Sequence, residues 1–575
     1  MSATSVADVH TALTAPGQLF EMENLVIRGI EMRAWKNAPA NLAAILTASR
    51  AHGDLDFLVF EDERTTFEEH FRLAATVAQR LIEAGVGKGD RVVIAMRNLP
   101  EWSVAFWGAA AAGAVVVPLN AWWTGPELEY GIQDCGATVA FLDEQRHERL
   151  RAHLDACPDL ATIVVAQTPS WDGFLGEVQG GDAALPAVAD GLLPEDDATI
   201  FYTSGTTGRP KGALGTHRNI CGNLISLVFS GARAAARKGA SAEQLAASAG
   251  ATPPASDAKT PARNSYLLSV PFFHATGCHS VLVANLAAGN KLVLMHKWDP
   301  GRALELIERE RITTFGGVPA MVWQVLDHPD FASFDLSSVT SIGYGGAPAP
   351  PELLRRIEAM VPGRTPSNGY GLTETSSVTT MNVGVDYLAH PDSVGVPMPV
   401  VDVKLVDEDG ADIPPGGDRT GELWIRGPNV VKGYWGKPEA TADAFTDGWL
   451  HSGDVARIDG EGFVFIVDRA KDMLIRGGEN VYCVEVESAL FEHPAVSDAA
   501  VIGIPHEVLG EEVGAVVQIR HGESATQAEL QRFVGERLAA FKVPSRIWFR
   551  DEPLPRNPAG KILKRDLREE LLPTI

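Results

Sequence analysis

Arg91-Val-Val-Ile-Ala-Met96, the segment from Pro100 to Ala112, and Ala114-Val-Val-Val-Pro118 follow one another with almost no chain between them. The first and third are short, apolar and rich in β-branched residues, so they predict buried strands. The second opens on proline, which a first helical turn tolerates because no N–H is needed there, and predicts a helix. The cycle repeats with a helix from Pro126 to Asp134 and a strand at Thr138-Val-Ala-Phe-Leu142. Later come helices Arg302 to Glu310, Val318 to Leu326 and Pro350 to Met360, with strands at Thr313-Thr-Phe315 and Ser341-Ile-Gly343. Alternation of this kind predicts an α/β fold, parallel sheets covered by helices, with ligands at the carboxyl ends of the strands.

The pattern changes after about Gly395. Val400-Val-Asp-Val-Lys-Leu-Val406 and Glu422-Leu-Trp-Ile-Arg426 alternate apolar with polar, and Pro414-Pro-Gly-Gly417 supplies a turn. That predicts an antiparallel sheet or small barrel. Beyond Asp468 the chain predicts a compact α+β unit. It has helices at Val484 to Glu492 and Thr526 to Leu538, and strands at Ala499 to Ile504 and Val513 to Ile519. We therefore expect an N-terminal domain over 1–468 and a C-terminal domain over 469–575. Gly231 to Arg263 is dominated by Ala, Ser, Pro, Lys and Arg, so it reads as a mobile surface insertion, with Arg233, Arg237 and Lys238 on a solvated face.

Composition narrows the function. The 575 residues carry 49 Lys and Arg against 74 Asp and Glu, a net charge of −25, which argues against nucleic-acid or anionic-membrane binding. Five cysteines form no C-x-x-C pair, so neither a disulfide framework nor a zinc site is expected. Met1 to Gly17 holds no Lys or Arg and no apolar core, hence no secretory signal. The apolar run Ala105 to Leu119 is broken by Gly108, Gly113 and Pro118, too short for a bilayer span. The expectation is a cytoplasmic protein with no transmembrane segment; a homodimer is left open.

The strongest chemical signal is Tyr202-Thr-Ser-Gly-Thr-Thr-Gly-Arg-Pro-Lys-Gly212, placed between the strand Ala198 to Tyr202 and a helix starting near Thr216. Gly205 and Gly208 let backbone N–H groups converge on an anion. Thr203, Ser204, Thr206 and Thr207 add hydroxyl donors, and Lys211 adds charge. By composition this is a polyphosphate cradle. It is not a Walker A loop, for no G-x-x-x-x-G-K-[ST] exists.

Further motifs follow in order: Pro271-Phe-Phe-His-Ala-Thr-Gly277, Gly345-Gly-Ala-Pro348, Tyr370-Gly-Leu-Thr-Glu-Thr375, His451-Ser-Gly-Asp454, Asp468-Arg-Ala-Lys-Asp472 and Pro555-Arg-Asn-Pro-Ala-Gly-Lys561. Together they resemble the signatures of the adenylate-forming superfamily, which contains acyl-CoA synthetases, peptide-synthetase adenylation domains and firefly-type luciferases. The resemblance runs from about Leu42 onward, and its closest likeness is to the acyl-CoA synthetase branch.

The resemblance implies a large N-terminal domain of two helix-covered sheets plus a small β-barrel-like subdomain, and a small mobile α+β C-terminal domain. It implies ATP, Mg²⁺ and coenzyme A as cofactors and a carboxylic acid as substrate. Glu374 and Thr203 would hold Mg²⁺, and Thr373 would touch phosphate. Gly345, Gly346, Ala347 and Pro348 would lie against adenine, under Asn368, Gly369, Tyr370 and Gly371. Asp454 and Arg469 would hold the ribose. Lys561 would be the catalytic lysine, Lys471 the hinge, and Gly477 and Gly478 would line the coenzyme A tunnel. His274 would orient the carboxylate, in a pocket with Phe273, Cys278, Tyr344 and Gly369; these residues include no Lys or Arg, so an apolar or aromatic monocarboxylate is expected. Alternatives are a carrier-protein acceptor or a luciferase-like oxidation; a non-enzymatic nucleotide module is disfavoured because Lys561 and Glu374 are both present.

Overall fold

The computed structural model describes residues 5–203, 209–240, 263–347, 349–469, 471–477, 479–557 and 560–574. Its first sheet has the strand order Lys211–Thr216, Asp197–Thr203, Val115–Pro118, Arg91–Ala95, Val139–Leu142, Thr162–Val165. All neighbours are parallel except the first pair. The second sheet has nine strands, with Ser265–Leu268, Lys291–Leu294, Thr314–Gly317, Ser341–Gly345 and Thr365–Tyr370 in its parallel centre.

The helices form where the sequence permits. Pro100–Ala111 starts on proline and is buried nearly all round, because it packs between the two sheets. Trp102 stacks on Phe272 at 4.9 Å and on Phe106 at 5.5 Å, tying that helix to the segment after Ser265–Leu268. Phe67–Glu83 begins with a capping box, Thr66 with Glu69, and packs beside Pro100–Ala111. There Gly108 lacks the β-carbon that would strike Val77.

Two smaller sheets complete the molecule. An antiparallel one joins Asp402–Val406, Gly421–Arg426, Trp449–Ile458 and Val464–Arg469. The last pairs Leu474–Arg476 and Val496–His506 with Gly510–Ile519, which also carries Arg546–Arg550 in parallel. Each predicted element is present, displaced by a few residues at its ends.

Two differences have clear causes. Lys211–Thr216 is a strand hydrogen-bonded to Asp197–Thr203, so the chain turns back into the sheet before the helix begins. And Gly231 to Arg237 continue the helix His217–Arg237, where the sequence predicted an insertion. Alanine has high helix propensity, and the helix is long enough to bring Arg233 into the core, 1% exposed, where it donates to the Met381 carbonyl at 2.5 Å. Arg237 pairs with the buried Asp386. Arg233 is thus a buried cation instead of part of a solvated face; residues 241–262 of the expected insertion lie outside the described residues. No helix among the described residues is long and apolar enough to cross a membrane.

Candidate active site

The mouth of the Asp197–Thr203 and Lys211–Thr216 hairpin is the first part of the site. Thr203 pairs with Lys211, and its hydroxyl lies 3.4 Å from the Lys211 carbonyl. Ser204, Gly205, Thr206, Thr207 and Gly208, the centre of the predicted cradle, lie outside the described residues. Both flanks are anchored. Tyr202 donates its hydroxyl to Asp134 at 2.8 Å, and Tyr130 donates to the Pro210 carbonyl at 2.9 Å. Asp134 also takes an ion pair from Lys437 at 2.6 Å.

Glu374 sits in the short helical turn Thr373–Thr375. The next two residues have positive φ, +54° at Ser376 and +107° at Ser377, which non-glycine residues adopt only under constraint. The constraints are visible: Asn429 donates to the Thr375 carbonyl, the Ser280 and Ser377 hydroxyls meet at 2.6 Å, and His279 contacts the Ser376 carbonyl. Gly371 approaches this turn so closely that a β-carbon would lie 1.5 Å from the Ser377 carbonyl oxygen.

Tyr434, which the sequence did not single out, joins the two parts. Its hydroxyl donates to Glu374 Oε1 at 2.7 Å, and Lys211 Nζ lies over its ring, 5.1 Å from the centroid. The partners are 60 residues apart in sequence for Glu374, so no local spacing signals the contact. No hydrogen bond engages Glu374 Oε2 among the described residues. The described residues contain no cluster of three or more metal-ligating side chains. That suits a cation that takes one carboxylate, a hydroxyl such as that of Thr203 and otherwise phosphate and water oxygens, as Mg²⁺ does.

A cleft of about 2140 Å³ lies beside this group. Gly346, Ala347, Asn368, Gly369, Tyr370 and Gly371 form one wall, and Asp454, Arg469, Lys471 and Lys561 another. Pro348 lies outside the described residues. Gly346 has φ +75° and open space where a side chain would stand, so a flat ring can approach its backbone. Asp454 is 3% exposed, accepts from the Tyr370 hydroxyl at 2.6 Å and pairs with Arg469 at 3.1 Å. Tyr370 is therefore tied to the Asp454 carboxylate, an arrangement that fixes its ring against the cleft wall.

Lys561 is half-buried and lines the cleft. Burial and the nearby Arg469 and Lys471 hold its ammonium down to about 8, against the pull of Asp454 and Glu374. Its loop is braced by Arg556, which donates to the Gly560 carbonyl at 2.7 Å and pairs with Asp498 at 2.6 Å. Gly560 lacks the β-carbon that would meet Val318 at 2.3 Å, so the loop seats directly on the helix start at Pro319. His274 is half-buried, with a buried and unpartnered Nε2; burial, then Lys561, lower it to about 4, so its ring is neutral at pH 7.

Several predicted residues lie elsewhere. Tyr344 faces the opposite side of its strand from Gly345, in the core with Ile342, and its hydroxyl meets that of Tyr387 at 2.7 Å. Successive residues of a strand point to opposite faces; Tyr344, expected in the acyl pocket, and Gly345, expected against adenine, line neither cavity. Cys278 is fully buried in the core between the sheets and lines neither cavity. Phe273 lines a second, smaller cavity. Gly369 borders the cleft, but a β-carbon there would point at the Met381 sulfur, 2.8 Å away, instead of into open space. Gly477 lies in the turn between Leu474–Arg476 and Glu479–Val481, with its N–H on the Leu509 carbonyl, away from the cleft; Gly478 lies outside the described residues.

The AMP-binding enzyme family model matches residues 46–435, and the model of the AMP-binding enzyme C-terminal domain matches 485–561. The chain belongs to the AMP-binding enzyme family. This AMP-binding enzyme is 37% identical over 503 residues to a feruloyl-CoA synthase of Amycolatopsis, covering 88% of this chain and 93% of that one. It is 34% identical over 556 residues to a long-chain-fatty-acid–CoA ligase of Bacillus subtilis, covering 92% and 94%. Among solved structures, an anthranilate CoA ligase in complex with anthranoyl-AMP matches with a TM-score of 0.81 at 26% identity, over 93% of this chain and 98% of that one. The AMP-binding enzyme thus has the fold of the adenylate-forming superfamily, and the motifs Tyr202 to Gly212, Pro271 to Gly277, Gly345 to Pro348 and Tyr370 to Thr375 fall within residues 46–435.

Proposed function

We propose that the chain is an ATP-dependent acyl-CoA ligase acting on an apolar or aromatic monocarboxylic acid. The observation that carries this reading is that Lys561, from the C-terminal part of the chain, lines the same cleft as Tyr370 and the buried Asp454 of the N-terminal part, with Arg469 paired to Asp454. The relatives named above, ligases of an aromatic and of a long-chain acid to coenzyme A, support the same reaction class.

In the first half-reaction a carboxylate oxygen attacks the α-phosphorus of ATP, the bond to the β-phosphate oxygen breaks, and pyrophosphate leaves. The acid is anionic at pH 7, so no general base is required, in keeping with a neutral His274. Lys561 would stabilise the charge gathering on the α-phosphate, and Lys211 that on the leaving group. Asp454 would accept both ribose hydroxyls, and Tyr370 would face adenine. Glu374 and Thr203 would hold Mg²⁺, which when bound neutralises phosphate charge. In the second half-reaction the thiolate of coenzyme A attacks the acyl carbonyl and AMP leaves. For that step the unit over 469–575 would turn about Lys471 and bring the loop with Gly477 and Gly478 to the site.

The test is AMP formation from a panel of carboxylic acids, with and without coenzyme A. Thioester and AMP in equal amounts only when coenzyme A is present support the ligase. AMP release that ignores coenzyme A, or needs oxygen, sinks it.

A further inference from the structure

The smaller cavity, about 40 Å³, lies where the carboxyl ends of strands from both parallel sheets converge. Arg97 follows Arg91–Ala95, and Trp122 follows Val115–Pro118, both in the first sheet. Ser269 to Phe273 follow Ser265–Leu268, Met295 to Trp298 follow Lys291–Leu294, and Met321 follows Thr314–Gly317, all in the second. Ligands of parallel sheets bind outside such ends.

The cavity floor is apolar, with Phe273, Met295 and Met321, and Phe273 is the neighbour of His274. Its rim is basic: Arg97, His296 and Lys297 line it, and no carboxylate does. On a chain of net charge −25, a cavity lined by Arg97 and Lys297 and by no carboxylate is a local reversal; burial, then Arg97, lowers His296, so its ring adds no charge at pH 7. The Arg97 guanidinium lies over Trp122, 5.1 Å from the ring centroid, and its buried Nε has no hydrogen-bond partner. Asp143 lies near enough to favour the charged form of Arg97, but its hydrogen bonds go to the side chain of Arg146 and to the Arg97 backbone N–H, which leaves the Arg97 Nε without an acceptor. The loop is held in place: Asn98 accepts from the Phe272 N–H at 2.9 Å and donates to the Val270 carbonyl at 3.3 Å. A buried guanidinium nitrogen without an acceptor is costly, and a ligand oxygen would satisfy it.

We propose that this cavity receives the far end of the acid, and that Arg97 binds a carbonyl oxygen there. The inference rests on the ligase reading, and it adds a basic contact absent from the pocket expected from sequence. Arg97 and Lys297 escaped that expectation because 176 and 24 residues separate them from Phe273, and strand pairing within the second sheet and the convergence of the two sheets bring them together. The space suits a group the size of a terminal methyl ketone, since one water needs roughly 10–15 Å³ by the same measure.

The experiment measures pyrophosphate release with pairs of straight-chain and phenylpropanoic acids matched in length. One member of each pair ends in methyl, the other in a methyl ketone. At the length that reaches Arg97, the oxygen-ended acid should have a kcat/KM about tenfold or more above its twin, the size of one hydrogen bond to a charged group. Arg97→Leu should bring that ratio near one, and Arg97→Lys should keep part of it. Circular dichroism checks folding; if Arg97→Leu does not fold, Arg97→Lys and Lys297→Gln carry the comparison, each lowering the ratio. The proposal fails if no oxygen-ended acid at any length outperforms its twin, or if the preference survives loss of Arg97. If methyl-ended acids release pyrophosphate without any such preference, only the Arg97 subsite falls. If no acid releases it, the ligase reading itself falls.

Discussion

Lys561 lines the cleft and Tyr434 holds Glu374 beside it, and each supports a separate expectation. Lys561 is useful to adenylation only as an ammonium. Its folded value of about 8 lies below that of a free lysine, so the charged form is present below that pH and lost above it. The kcat/KM for ATP in pyrophosphate release should therefore fall as pH rises through about 8, and Lys561→Ala should abolish that limb along with ~10²–10³ of the rate. A profile that stays flat to pH 10 would remove Lys561 from this role. Tyr434 holds Glu374 by one hydroxyl hydrogen bond. Tyr434→Phe keeps the ring under Lys211 but frees the carboxylate, costing about 1–2 kcal/mol of positioning, or roughly tenfold. That loss should appear as a higher magnesium concentration at half-maximal rate, while the affinity for magnesium-free ATP, measured by calorimetry, stays within about twofold. Glu374→Gln should exceed it in the same titration, because the amide lacks the charge altogether.

At the scale of single strands and turns, two glycines in one motif illustrate what a sequence discloses and what it conceals. Both Gly369 and Gly371 fall in the motif around Tyr370, and nothing in their spacing separates them. In the structure a β-carbon on Gly369 meets the flexible end of Met381, whereas one on Gly371 meets backbone, the Ser377 carbonyl. A thioether can swing aside and a strained turn cannot. Gly369→Ala should leave the melting temperature within about 2 °C, while Gly371→Ala should displace the Glu374 turn and cost at least about 3 kcal/mol. Thermal unfolding of the two variants, with pyrophosphate release as second readout, decides it; equal losses would mean that the turn is not rigid. The motifs themselves, and the order of strands and helices, were legible because hydrophobic period and glycine placement are local signals. The face of Tyr344, the helical course of Gly231 to Arg237 and the Tyr434 bridge were not, because each depends on which distant element packs against it.

Over the whole molecule, the position of Lys561 bears on the proposed turn of the C-terminal part between the two half-reactions. With Lys561 in the cleft, the turn carrying Gly477 lies outside it, so the groups expected to serve the two half-reactions do not meet at one place. Arg469 closes the sheet of the N-terminal part and is held to Asp454, while Leu474 already belongs to the sheet of the C-terminal part. Lys471 stands between these anchors, exposed at the cleft and tied by no hydrogen bond or ion pair among the described residues, as a hinge requires. Proline at this position fixes φ near −65° and restricts the residue before it, so it should lock whichever arrangement it permits. Lys471→Pro should therefore form acyl-adenylate at a rate within a few fold of the parent, yet convert supplied acyl-adenylate and coenzyme A to thioester at least ~10²-fold more slowly. Lys561→Ala should do the reverse, failing in the first half-reaction and keeping the second. Single-turnover assays of each half-reaction separate the two, with circular dichroism confirming that both variants fold. Should both substitutions slow both steps equally, one fixed arrangement serves the entire reaction, and the turn bearing Gly477 has no part in thioester formation.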